Sequence, residues 1–397
     1  MPTSNAPEPE PGPDPSPRRP QRRLWGAVAL AAVIAAVLWL SYSAPGPGGR
    51  YVGSDACRDC HPGEAAAHAR SGHARTLRHV AGSPLVERLD GVTVDDPERP
   101  GVTWTYRRQG DALTTERREA GAVERFVLDY AFGSGHHAIT FVTLTARDPQ
   151  DPALLEHRLS LFAHQPLPGV TPGQSLAGKA AGNTPAGRHH SRSNTLKCFG
   201  CHTTVTSDHG PGVLDSSAMI PNVTCERCHG PAGDHVAAAR AGGPAGRLRM
   251  RRGRGHTAPA EELTFCGQCH RLPDMIAAGP ASIVPENTTL VRHQPVGLMQ
   301  SACYTRTGGG LSCSTCHDPH ARPSADTAAY EAVCRSCHEG PKKTTCPVNP
   351  RAECVGCHMP LRETTRGMRF TDHWIRARPL NEAENIGKSV KKRSVAP

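Results

Sequence analysis

Cysteine and histidine recur together in this sequence at a spacing that suits covalent cofactor chemistry. Of the 16 cysteines, 14 fall in seven copies of Cys-x-x-Cys-His. Residues three apart lie on one side of a helical turn, so both thiols can react with one planar group while the next histidine presents its imidazole to a metal. The copies are Cys57-Cys60-His61, Cys198-Cys201-His202, Cys225-Cys228-His229, Cys266-Cys269-His270, Cys313-Cys316-His317, Cys334-Cys337-His338 and Cys354-Cys357-His358.

This pentapeptide is the attachment signature of c-type haem, in which the thiols form thioethers and the histidine binds the iron. Zinc ribbons, redox dithiols and disulfide frameworks also pair cysteines, but none of them needs a histidine directly after the second cysteine. With 22 histidines in 397 residues, seven such histidines by chance are improbable. The sequence therefore predicts seven covalent haem c groups, with the motif cysteines as attachment sites and the motif histidines as proximal ligands.

The composition predicts a fold organised by these cofactors. Only 4% of the residues are aromatic, and 40 are glycine and 37 proline, which is a poor basis for a conventional core. We expect a mainly α or irregular cytochrome c fold, with short helices around stacked haems. An antiparallel β insertion is expected at residues 88–165, where alternating apolar stretches are bounded by Gly, Pro and Asp.

The N-terminal region predicts attachment to a bacterial inner membrane. Four arginines precede the 17 residues from Leu24 to Leu40, which are almost all apolar, so the haem region would lie in the periplasm and the N-terminus in the cytoplasm. An uncleaved anchor is favoured, and a cleaved signal that would secrete the protein stays open. The predicted segments are a disordered stretch at 1–23, the anchor or signal at 24–42, a linker at 43–50, a first haem segment at 51–87, the insertion at 88–165, a six-haem region at 166–376 and a basic, flexible tail at 377–397.

The net charge of +10 would ordinarily suggest a nucleic-acid partner. Each ferric haem carries about one net negative charge, because its two propionates outweigh the charge left on the iron-bound ring. Seven haems would nearly cancel the excess, so no nucleic-acid partner is expected. The Arg-rich run at 248–256 is either an exposed loop or a docking patch for an acidic redox partner.

The sixth ligand of each iron separates two classes of function. A second histidine gives a low-spin electron carrier, whereas an open position gives a site where a small molecule binds and reacts. His317 and His320 are three residues apart, too close for the chain to pass around a porphyrin edge to its other face. The same argument applies to His229 and His235. If His235 and His320 are ligands, we expect each to serve a neighbouring haem and hold haem edges close together.

Several stretches resemble multihaem c-type cytochromes of the cytochrome c-554 kind, a superfamily with relatives among the multihaem nitrite reductases and hydroxylamine oxidoreductases. The resemblance implies four distal iron ligands, namely His73, His235, His320 and His373. It leaves His68 to packing or the surface. The stretches that carry it are 51–74, 225–235, 311–320 and 354–375, within a likeness that covers roughly 51–80 and 195–376.

Two functions fit these features. The favoured one is an electron-transfer cytochrome that relays electrons between a membrane quinol-linked donor and a periplasmic redox partner. The alternative is an oxidoreductase acting on a small nitrogen or sulfur oxyanion at one open haem. Enzymatic relatives can carry lysine in place of a motif histidine, whereas all seven motifs here end in histidine, so the carrier is favoured and the enzyme stays open.

Two cysteines fall outside the motifs, Cys303 and Cys346. In an oxidising compartment we expect them to form a disulfide. A free thiol and iron ligation are the alternatives.

Overall fold

The computed structural model describes residues 49–174, 183–243, 250, 257–339, 346, 348–349, 353–364 and 367–378. The fold lies in the unit Arg50–Pro397. The predicted disordered stretch and membrane segment lie outside the described residues, as do nearly all of the linker, the basic tail and the Arg-rich run at 248–256. Within the described part, no helix is long and apolar enough to cross a membrane.

Strands occupy much of the first half of the described chain. Their bounds are β1 Leu77–His79, β2 Thr93–Asp95, β3 Val102–Gln109, β4 Ala112–Glu119, β5 Ala122–Val127, β6 Tyr130–Phe132, β7 Ala138–Ala146, β8 Ala153–Phe162, β9 Gly169–Val170, β10 Asn183–Thr184, β11 Gly187–His190, β12 Thr203–Val205, β13 Ile220–Pro221, β14 Leu361–Glu363 and β15 Arg369–Thr371.

Six of the helices in the described residues contain cysteines of the motifs. The helices are α1 Asp55–Arg58, α2 Pro62–Arg70, α3 Pro84–Leu89, α4 Arg192–His202, α5 Cys225–His229, α6 Gly233–Arg240, α7 Pro259–His270, α8 Gln294–Gln300, α9 Ala302–Arg306, α10 Thr327–His338 and α11 Cys354–His358, with 3-10 turns at His73–Arg75, Pro273–Met275, Pro280–Ser282, Thr288–Arg292 and Cys313–Thr315.

Two antiparallel sheets form the β part of the molecule. The larger runs in the order β1-β6-β7-β8-β11-β10, with β9 also paired to β8, and the smaller runs β2-β3-β4-β5. β12 pairs with β13, and β14 with β15, as two-stranded ribbons among the motif helices. The prediction of a mainly α or irregular fold is therefore wrong. Strand pairing also extends beyond residues 88–165, because β1 precedes that stretch and β10 and β11 follow it.

The aromatic residues explain this error. They are few, but the buried ones are concentrated in the β part, where they supply the conventional core that the average composition does not indicate. Among the described residues, all but one of the buried Phe, Tyr and Trp side chains belong to strands of this part, namely Trp104, Tyr106, Tyr130, Phe132, Phe141 and Phe162. The exception is Phe199 in α4.

The larger sheet packs on both of its faces. Successive side chains of a strand point to opposite faces, so in β6 Tyr130 and Phe132 face one way and Ala131 the other. Tyr130 and Phe132 meet Phe199 of α4 edge-on, at ring-centroid distances of 5.2 and 5.1 Å. Ala131 belongs to the core on the opposite face, with Phe141. The sheet is thereby a platform for the helix that carries the second cysteine motif.

A buried ion pair joins β8 to the end of β2. The side chains of Arg158 and Asp96 are 2% and 0% exposed, with 2.5 Å between Nε and Oδ2 and 2.9 Å between Nη2 and Oδ1. Trp104 donates a further hydrogen bond from Nε1 to Asp96 Oδ2, at 3.2 Å. Every charge of this pair is matched inside the protein, as burial requires.

Candidate haem-iron sites

All seven motifs lie on helical turns within the described residues. Three motifs end α4, α7 and α10. The other four begin in α1, α5, α11 and the 3-10 turn Cys313–Thr315, and some of them continue into the residues directly after the element. In the first motif the N–H of His61 donates to the carbonyl of Cys57 at 2.8 Å, and in the fifth His317 donates to Cys313 at 2.9 Å. Each such turn places its two cysteines on one side, as double thioether attachment requires.

The imidazoles of four motifs face a second histidine from another part of the chain. The ring centroids of these pairs are 6.0–6.4 Å apart. The pairs are His61 with His235 at 6.4 Å, His73 with His270 at 6.1 Å, His229 with His320 at 6.0 Å and His317 with His373 at 6.2 Å.

These gaps fit an iron ion held between two imidazoles. A metal–imidazole bond is about 2 Å long, and a five-membered ring with bonds of about 1.35 Å places each nitrogen about 1.1 Å from the ring centre. Adding the metal–nitrogen bond and the nitrogen-to-centre distance on both sides of the metal gives about 6.2 Å between the two ring centroids. The interplanar angles range from 3° to 76°, and rotation about the metal–nitrogen bonds permits this range.

All four facing histidines are those named from the sequence as distal candidates. His235 lies opposite His61 of the first motif, not its own His229, and His320 lies opposite His229 of the third motif, not its own His317. The short segments after motifs three and five thus reach neighbouring motifs. This is the arrangement expected from the length of those segments.

Hydrogen bonds at Nδ1 orient several of the imidazoles. His202 Nδ1 lies 2.9 Å from the carbonyl oxygen of Thr76, and His358 Nδ1 lies 2.9 Å from that of Arg376. His373 Nδ1 lies 2.9 Å from the carbonyl of Thr371. When Nδ1 carries the hydrogen and donates it to a carbonyl, Nε2 keeps its lone pair for a metal.

The motifs also contact one another through their cysteines. Neighbouring thiols join motif one to three, two to four and four to five, through Cys57 and Cys225, Cys201 and Cys269, and Cys266 and Cys313. Glu262 of α7 reinforces the last contact, because it accepts hydrogen bonds from the Ser314 N–H at 2.8 Å and from Ser314 Oγ at 2.6 Å. Groups attached at these motifs would therefore lie side by side.

A cavity of about 740 Å³ opens beside Cys228 of the third motif. Phe265 and Gln268 of α7 form part of its wall, opposite Tyr51 and Pro231. Its volume lies within the usual range for cofactor sites. The motif cysteine on its wall makes it suitable for an attached planar group.

Comparison with known proteins gives two family matches. Residues 173–230 match the family described as cytochrome c554 and c-prime, and residues 306–343 match the doubled CXXCH motif. The chain is a multihaem c-type cytochrome. Haem c binding follows from these matches, and electron transfer is the function that they favour. A solved structure, the outer cell wall cytochrome OcwA, is similar to the cytochrome at 16% identity and a TM-score of 0.46, over 87% of this chain and 84% of that one. No curated protein matches.

Burial keeps several ligand candidates of the cytochrome neutral. It lowers the pKa of His73, His270 and His317 below the usual value, and it lowers the pKa of His373 to about 4. A protonated imidazole has no free lone pair, so a neutral ring is the form that binds a metal.

Other histidines and cysteines are placed differently. His68 Nε2 lies 2.9 Å from the carbonyl of Val223. Cys303 and Cys346 are both free, so the predicted disulfide between them is not formed. Within the described residues, no histidine ring is recorded facing His202, whose ring instead meets Phe132 edge-on at 4.9 Å.

A glycine that the sequence analysis did not single out controls the position of His373. A Cβ on Gly297 of α8 would lie 2.7 Å from the backbone nitrogen of Trp374 and 2.8 Å from the carbonyl carbon of His373. Ser301 ties the same segment to the helix, because its Oγ donates to the His373 carbonyl at 3.0 Å and accepts from the N–H of Ile375 at 2.8 Å. Only glycine permits this approach.

We expect Gly297→Ala to move His373 away from His317 and to remove the low-spin signal of one haem, measured by electron paramagnetic resonance of the ferric protein. The matched control is Gly63→Ala in α2, where a Cβ meets nothing within 4 Å. That variant should keep the wild-type spectrum. An unchanged spectrum in Gly297→Ala would contradict the control of His373 by this contact.

Proposed function

We propose that this cytochrome carries seven haem c groups and relays electrons between a membrane-linked donor and a periplasmic acceptor. Haem c, when bound, supplies reversible one-electron chemistry. The observation that carries the proposal is the set of four facing imidazole pairs. Two imidazoles on one iron leave no position for a substrate, and this is the coordination of electron carriers.

The proposed axial pairs follow from the facing rings. In each pair one histidine belongs to the attachment motif and the other comes from a different segment, so ligation would also fasten the segments to one another. The pairs are His61 with His235, His270 with His73, His229 with His320 and His317 with His373.

The contacts between motifs support a relay. Electron transfer between centres requires their edges to be close, and the chain brings motif one against three, two against four and four against five. His320, which follows motif five, faces His229 of motif three. His373, which follows motif seven, faces His317 of motif five. These contacts link motifs one to five into a continuous series of neighbouring sites.

The proposed location rests on the N-terminal sequence. Basic residues before the apolar run Leu24–Leu40 favour an anchor at 24–42 with a cytoplasmic N-terminus. Haem attachment sites would then lie in the periplasm, where a soluble redox protein is the expected partner.

Two measurements test the function. The pyridine haemochrome assay should give seven haems per chain, and the electron paramagnetic resonance spectrum of the ferric protein should contain low-spin signals from at least the four paired sites. A count well below seven would contradict the cofactor assignment. A high-spin haem that binds nitrite or sulfite would contradict a pure carrier and favour the oxidoreductase alternative.

A further inference from the structure

A buried glutamate lies inside the third attachment motif. Glu226 follows Cys225 directly and is only 2% exposed. A carboxylate is costly to bury without a partner. Within the described residues the carboxylate makes no ion pair, and the partners described there are hydrogen-bond donors.

Three backbone N–H groups donate to this carboxylate. The backbone nitrogen of Val52 lies 3.0 Å from Oε1 and 3.2 Å from Oε2, and that of Gly53 lies 2.8 Å from Oε2. Ala232 lies 2.9 Å from Oε1. Hydrogen bonds to an ionised acceptor are roughly twice as strong as neutral ones, so Glu226 holds these backbone positions firmly.

The donors belong to the two segments that carry a facing histidine pair. Val52 and Gly53 enter α1, whose turn leads to His61, and Ala232 directly precedes α6, which carries His235. The same segments also touch directly, since the N–H of Gly233 donates to the carbonyl of Arg50 at 2.9 Å. One side chain therefore connects both sides of the His61–His235 gap of 6.4 Å.

We propose that Glu226 is a positioning residue that holds His235 opposite His61 and so sets the axial coordination of the haem attached at Cys57 and Cys60. This proposal rests on the proposed ligand pair. The carboxylate acts at a distance from the iron, through the backbone of residues 52, 53 and 232. It belongs to the third motif by sequence but serves the first.

The chemistry of the side chain explains why glutamate suits this place. Both carboxylate oxygens accept hydrogen bonds, and the groups bonded to them are backbone N–H donors. Glutamine has one accepting oxygen and a donating NH₂ group, so in Glu226→Gln an N–H group would face a backbone N–H. Unpaired buried donors are unfavourable, and the two segments would separate.

The test compares Glu226→Gln with His235→Ala and with Glu64→Gln, which removes an equal charge at an exposed position of α2. His235→Ala should remove the low-spin ferric signal of one haem. Glu226→Gln should lower that same signal, and the double variant should lose no more than His235→Ala alone. Added imidazole should restore the signal in both single variants, and Glu64→Gln should match the wild type.

Several outcomes would overturn the proposal. A wild-type spectrum in Glu226→Gln with only a lower melting temperature would make the residue merely structural. Equal shifts of midpoint potential in Glu226→Gln and Glu64→Gln would reduce its role to charge. If Glu226→Gln does not fold, Glu226→Asp keeps the charge and shortens the reach, and its unchanged spectrum would also refute positioning. If His235→Ala keeps every low-spin signal, the proposed ligand pair fails instead.

Discussion

His73→Ala is expected to convert one haem of the cytochrome from low-spin to high-spin. The variant should retain every covalent haem, because the attachment cysteines are untouched. Its ferric spectrum should lose the low-spin signal of one centre and gain a high-spin signal, and its reduced form should bind carbon monoxide at one additional site. The midpoint potential of that centre should rise, since loss of an imidazole removes electron donation that stabilises ferric iron.

The contacts of His73 give the reason. Its ring faces His270 at 6.1 Å between centroids, and a hydrogen bond to the carbonyl of Pro319 orients it. Burial lowers its pKa, so the ring is neutral at pH 7 and its other nitrogen keeps a lone pair. His73 lies in the first segment while His270 ends α7, so the substitution also removes a link between distant parts of the chain.

His68→Ala is the matched control. It lies five residues earlier and is also partly buried, but its Nε2 is engaged with the carbonyl of Val223 at 2.9 Å. All low-spin signals should survive its removal. Loss of a low-spin signal in His68→Ala, or its retention in His73→Ala, would contradict the ligand assignment. Imidazole added to His73→Ala should restore the signal.

The second large effect concerns stability. Arg158→Met should lower the free energy of unfolding of the β part by about 3–5 kcal/mol, because it leaves the Asp96 carboxylate buried without its ionic partner. Urea unfolding followed by far-ultraviolet circular dichroism measures the change. Adding Asp96→Asn to Arg158→Met should recover part of the loss, since the unpaired charge is then gone.

Arg125→Met provides the comparison within the same β part. Arg125 pairs with Glu116 at 2.8 Å, but the Arg125 side chain is 66% exposed, and Arg118 still pairs with Glu116 at 3.0 Å when Arg125 is removed. The loss should therefore be about 0–1 kcal/mol, as for exposed pairs. An equal decrease in the free energy of unfolding in Arg158→Met and Arg125→Met would show that the contribution of the Arg158–Asp96 pair does not depend on its burial.

The pH dependence of the same pair has a definite sign. Burial opposes ionisation of Asp96, but hydrogen bonds from Arg158, the Glu98 backbone and Trp104 together hold its pKa below the usual value. A lowered carboxyl pKa contributes stability above the unfolded value of about 3.9, and this contribution is lost as the pH falls through the folded value. The difference between wild type and Arg158→Met should therefore shrink below about pH 4.

The attachment chemistry is determined by sequence alone, because it is local. Five consecutive residues on one helical turn bring two thiols and an imidazole together whatever the surrounding fold, so motifs such as Cys225-Cys228-His229 are recognisable without coordinates. The length of the segment between two histidines also shows when they cannot bind the same iron. The two residues between His317 and His320 cannot encircle a porphyrin, so the two histidines are assigned to different centres.

The partner of each distal histidine is decided by tertiary structure. His73 lies 197 positions before His270, and His235 lies 174 positions after His61, and no local pattern encodes which distant turn a histidine will face. Alternating apolar residues indicated a β insertion at 88–165, but the average composition did not indicate its aromatic core. The aromatic residues are few over the whole chain and are concentrated in strands β3–β8. Glu226 was overlooked for the same reason. Its three donors come from segments on either side of the motif that only folding brings together.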